Sequence, residues 1–175
     1  MRTASFALAS FVLGAILFPC ESSAEEPDRR ASAKAVLKDI SARGADKVLW
    51  EAFADASRFE PICNGISSGS RDWLRVAVLL HPVSDAGAAE SLDDCVAHAL
   101  PKAPARVLSL ATQGFRLRDI CLPALIEAEP GVARPQIEAA ERALRPSLGA
   151  ALEPARKECL ALARSALKAL RERGE

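Results

Sequence analysis

Four cysteines, Cys63, Cys95, Cys121 and Cys159, constrain this chain most, and the N-terminus decides how they are read. Arg2 supplies a positive start, and Ala4 to Phe18 carry no charge, with only two serines and Gly14 interrupting the apolar run. The small triplet Ser22-Ser23-Ala24 then precedes Glu25-Glu26. This is the layout of a cleavable secretory signal peptide over residues 1–24. Its apolar core of about 15 residues falls short of the roughly 20 that a spanning helix needs. A fifth cysteine, Cys20, lies in that leader, and Pro19 stands where lipidation would need a small residue.

An even number of cysteines in an exported chain reads as disulfides. Four cysteines allow three pairings, and the residues alone do not choose among them. The favoured pairing is Cys63–Cys95 with Cys121–Cys159, which ties segments close in sequence. Loops of roughly 30–40 residues would each contribute about 3–4 kcal/mol by the chain-entropy argument. The wide spacings contain no Cys-x-x-Cys, against a zinc site.

The 23 basic and 23 acidic side chains cancel, and removing the leader takes one of each, Arg2 and Glu21. A neutral chain has no strong field to draw in nucleic acid or anionic lipid. Residues 25–31 read as a charged, disordered linker, and residues 32–173 as a single helical domain. About 150 residues are enough for one real core.

Apolar residues recur at helical spacing throughout. Ala33, Val36, Leu37 and Ile40 form one such set before Gly44. A second helix carries Leu49, Trp50, Phe53 and Ala56 and is expected to end before Pro61. Asn64 to Ser70 reads as a Gly/Ser-rich turn. Ser70 or Asp72 then caps a helix with Trp73, Leu74, Ala77 and Leu80. Ser84 and Asp85 suit the start of the next, and Pro104 the first turn of another. Arg116 to Cys121 makes one more turn, and 123–135, with three prolines, is the loosest stretch. Ile137, Ala140 and Leu144 mark a further helix, and Cys159, Leu160, Ala163 and Leu167 the last. No segment alternates apolar and polar residues for long. The predicted class is all-α: a compact disulfide-stapled bundle or short α-solenoid of about six to seven helices.

Candidate chemistry is sparse. Gly65-Ile66-Ser67-Ser68-Gly69 matches the serine-hydrolase elbow, with Asp94 and His98 downstream. The elbow needs a strand before its serine, and none is predicted, so Ser67 reads as part of a turn. Asp94 and His98 stand four apart and read as a solvated pair rather than half a metal site. His81, before Pro82, reads as a helix-end residue favoured by the helix dipole. Asp93 and Asp94 point apart on a helix and make no acid/base pair. Arg156, Lys157, Arg164, Lys168 and Arg171 give the last helix a basic face, read as solvated rather than membrane-bound. Trp50 and Trp73 sit on apolar stripes and are expected in the core. No catalytic residue, cofactor or metal ligand is assigned.

The run Ile66-Ser67-Ser68-Gly69-Ser70-Arg71-Asp72-Trp73-Leu74-Arg75-Val76-Ala77 is followed by Asp85-Ala86-Gly87, Ala99-Leu100-Pro101, Pro104, Ile120-Cys121 and Cys159-Leu160. In this order, over roughly residues 60–165, the chain resembles a group of small exported proteobacterial proteins with no assigned activity. The resemblance implies an exported helical domain and a Cys121–Cys159 bridge, and carries over no catalytic residue. Periplasmic immunity proteins that neutralise cell-wall toxins are alike only in size, compartment and class.

The functional expectation is therefore an exported, non-enzymatic protein-binding module of the periplasm, in its most concrete form an immunity or inhibitor protein. The alternatives are an envelope adaptor touching the membrane through its last helix, and a small hydrolase built on Ser67.

Overall fold

The computed structural model describes residues 32–122 and 130–172, and every regular element among them is helical. The expected signal peptide, the linker over 25–31 and most of the loose stretch over 123–135 lie outside the described residues.

Local chemistry sets the helix starts. Ser32 accepts from the Ala35 amide to open α1 (Ala33–Arg43), which ends at Gly44. α2 (Ala45–Phe53) follows at once. The chain then breaks at Ala54, and Asp55 accepts from the Ser57 amide to start α3 (Ala56–Ser67). The break thus comes before Ala56, and Pro61 lies inside α3. Pro61 forgoes the bond it would donate to the Ser57 carbonyl and crowds that carbonyl, and α3 is held through it by the buried Ile62 and Ile66 beyond.

The expected turn over Asn64 to Ser70 is also shorter. Helix α3 continues through Gly65 to Ser67, and only Ser68 to Ser70 turn. Gly69 has φ +72°, and a Cβ there would lie 2.7 Å from that of Ala103, so the sharp turn is built on glycine. Ser70 caps α4 (Arg71–Leu80) through the Trp73 amide. After a 3-10 turn, His81–Val83, Asp85 caps α5 (Ala86–Ala97) through the Ala88 amide. Pro104 is the first residue of α6 (Pro104–Ser109), and a 3-10 turn leads on to α7 (Leu117–Cys121). α8 (Pro130–Leu144) and α9 (Glu153–Glu172) complete the described chain. The described residues therefore hold nine α-helices, more than the six to seven expected, because short helices and the split at Asp55 add to the number.

α1 lies against α2 and α4, and α3 against α2, α4 and α5. From there α5 meets α7, α7 meets α9, and α9 runs along α8. Leu49, Ile66, Leu80, Leu92, Leu108 and Ile120 are sealed in one apolar core that extends from Val36 to Leu160. Ile137, Ala163 and Leu170 form a smaller cluster between α8 and α9.

The bridges are Cys63–Cys95 and Cys121–Cys159, the favoured pairing, each with Cα atoms 5.2 Å apart. The first joins α3 to α5, and the second α7 to α9. The loops they close span 32 and 38 residues.

Candidate functional site

An open groove of about 810 Å³ lies between α1, α2 and α3. Its floor is apolar, with Val36, Val48, Ala52 and Ile62 turned inward by the helical period. Its rim is charged and held in place. Arg43 reaches both carboxylate oxygens of Asp39 one turn back, and its Nη1 donates to Glu51 on α2 at 2.7 Å. Arg58 of α3 stands 3.7 Å from the same Glu51. Three helices are thus linked across the groove mouth. Hydrogen bonds from Arg43 hold the carboxyls of Asp39 and Glu51 below their ordinary range, and both carboxylates raise Arg43 in turn. Asp55, also on the rim, is lowered by its bonds to Ser57, the other side of its capping role.

Beside the groove runs an aromatic ladder. Trp50 meets Phe53 edge-on at 6.1 Å, and Phe53 meets Phe59 edge-on at 5.4 Å. Trp50 was expected in the core and is instead 36% exposed, its indole N–H donating to Asp46 at 3.0 Å. The reason is the helical period: α2 buries Val48, Leu49 and Ala52, and Trp50 lies about 150° round the helix from the middle of that stripe. Trp73 does pack inward, half-buried against the core. The ladder ends at a shallower cleft of about 390 Å³ lined by Phe59, Cys63, Glu90, Ser91, Asp94 and Cys95.

A third feature is internal. Asp93 is the one charged side chain buried among the described residues, at 8% exposure. His81 Nε2 lies 3.2 Å from its Oδ1, within ion-pair reach but off the line of a good hydrogen bond. Phe115, itself buried, covers the imidazole with ring centroids 4.1 Å apart. Burial raises the Asp93 carboxyl; His81 opposes this, Asp119 adds to it, and Arg116 opposes it more weakly. His81 follows α4 as expected, while its pairing with Asp93 was not foreseen. The signal was there: Ala88, Leu92, Cys95, Val96 and Ala97 bury most of the circumference of α5, which leaves residue 93 little access to water.

The remaining candidates are structural. The residues before Ser67 form a helix where the hydrolase elbow needs a strand, and the Ser67 hydroxyl donates to the Cys95 carbonyl at 3.0 Å. His98 Nδ1 sits 2.8 Å from the Asp94 carbonyl and 3.4 Å from its carboxylate. On α9 the basic face is partly committed. Arg156, expected to be solvated, is only 12% exposed, because it holds Glu153 and donates to the Leu144 carbonyl at the end of α8. Arg164 reaches Glu141 of α8 at 3.4 Å.

Among the described residues no group of three or more His, Cys, Asp or Glu is placed to hold a metal, and no helix is long and apolar enough to cross a membrane. No protein-family model matches the chain, and no curated protein or solved structure matches it.

Proposed function

We propose that this chain is an exported, non-enzymatic protein-binding module, a compact stapled bundle that works in the periplasm. The observation that carries the reading is the groove of α1, α2 and α3, with its apolar floor between charged rims that Arg43 ties together. An apolar trough with a polar rim has the anatomy of a protein interface. Its rim charges, Lys38, Arg43 and Arg58 against Asp39, Glu51 and Asp55, cancel. The matching partner is an amphipathic segment of another protein, one apolar ridge flanked by groups of both signs. Trp50 and the aromatic ladder extend the surface with the residue types that anchor interfaces. Two formed bridges support the oxidising compartment. An immunity or inhibitor role is the most concrete form of this function.

The test is capture under non-reducing conditions from the envelope of the cell that makes the protein. The tagged mature chain is compared with an Ala35→Arg/Ala42→Arg variant. Both alanines line the groove from exposed positions, so the variant keeps its fold. One stoichiometric protein retained by the native chain and lost by the variant is the expected result. Equal retention by both would remove the groove from the account, and retention of nothing by either would remove the dedicated partner.

A further inference from the structure

The two bridges divide the packing into two covalently fastened pairs, α3 with α5 and α7 with α9. Between the pairs, α5 packs on α7, and no bridge crosses that joint because all four cysteines among the described residues are already used. The buried Asp93 of α5 lies at this joint. His81, from the turn after α4, faces its carboxylate, and Phe115, just before α7, closes over the imidazole. His81 is therefore wedged between α5 and the approach to α7.

The charged groups acting on Asp93 come from two sides. His81 approaches from the turn after α4, and Asp119 and Arg116 from α7 and the residue before it. On the α3 and α4 sides, the packing against α5 includes the apolar core residues Ile62, Ile66 and Leu80. Arg116 is tied to Asp119 at 2.5 Å and its side chain is 82% exposed, so it is committed elsewhere. His81 is the group that can neutralise Asp93 in place.

We propose that His81 and Asp93, with Phe115 stacked over the imidazole, form a pH-sensitive clasp that holds the approach to α7 against α5, closed while the imidazole carries its proton and loosened when it loses it. Histidine is the side chain whose charge ordinarily changes between about pH 5 and 8. With the proton, the buried pair is neutral overall. Without it, a carboxylate stays buried beside a neutral ring, an arrangement that burial penalises unless water enters or a proton is taken up. Water reaches Asp93 when Phe115 and α7 draw away from α5. At lower pH the raised Asp93 carboxyl has the same sign, its contribution being lost as pH rises from the ordinary carboxylate range through its folded value. The clasp rests on the joint alone and is independent of the groove as a binding surface.

The experiment is hydrogen exchange of the full mature protein, bridges intact, at about pH 5.5 and 8.0, the range over which histidine titrates. Rates are corrected for intrinsic exchange. In the native chain, peptides spanning 115–121 should lose protection at the higher pH. Peptides from α1 and α2 should not change. Asp93→Asn keeps the shape and removes the buried charge, and should abolish the difference. His81→Gln should hold the joint in one state at both pH values. Equal protection of 115–121 at both pH values in the native chain would overturn the clasp. So would a pH difference that persists in Asp93→Asn.

Discussion

The indole of Trp73 lies across the bare backbone of Gly65, so that a methyl group at residue 65 would sit inside the ring. This contact explains a glycine in the last turns of α3, where helix propensity alone favours alanine by about 1 kcal/mol. Gly65→Ala should therefore destabilise the fold, by about 1–3 kcal/mol, as overpacking does. Urea unfolding followed by tryptophan fluorescence checks the sign. A more stable variant would mean that the indole is free to move aside.

The second bridge fastens α7, a helix of five residues, to α9. So short a helix has little stability of its own. Replacing Cys121 and Cys159 together by alanine should cost about 2–5 kcal/mol, the usual loss for a native bridge. Peptide mapping without reduction should recover Cys63 with Cys95 and Cys121 with Cys159. Any crossed peptide would contradict the packing of α5 and α7.

Asp85 caps α5 and accepts from the Ala88 amide at 3.0 Å. Asp85→Ala should cost about 1 kcal/mol, the ordinary loss of an N-cap. The comparison variant, Glu90→Ala on the exposed face of the same helix, should stay within about 0.5 kcal/mol of the native chain. Chemical denaturation of both variants makes the comparison.

The groove rim predicts an acid response opposite in sign to that of Asp93. Asp39 and Glu51 are lowered in the folded state by Arg43. Their contribution is present above the unfolded carboxylate range and is lost as pH falls through their folded values. Arg43→Gln should therefore flatten the loss of stability on acidification below about pH 4.5. Denaturation midpoints measured through the acid range read this directly. A variant as acid-sensitive as the native chain would show that the rim contacts do not persist in solution.

Much of the fold was legible because its signals are local. Ser70, Asp85 and Pro104 open helices as their types predict, and the missing alternation excludes strands among the described residues. The bridges are the pairing that nearness in sequence favoured, without excluding the other two. What was misread depends on contacts between elements. Pro61 looked like a terminator, but Asp55 had already started a new helix. Gly65 looked like a turn residue until Trp73 gave it a packing reason. Trp50 looked like core because it adjoins Leu49 and Phe53, but the stripe that packs inward is Val48, Leu49 and Ala52. Asp93 and His81 stand twelve positions apart on separate elements, and a tight turn brings them together. The groove, made by three helices meeting, has no signature in any one of them.

The most direct measurement places a photo-crosslinking amino acid at Ala42, on the groove rim, and at Thr112, on the exposed 3-10 turn after α6, in cells making the full chain. One discrete adduct is expected from position 42, none from 112, with loss of the adduct when Ala35→Arg is added. No adduct from position 42, or the same adducts from both positions, would contradict the groove as the surface through which this protein acts.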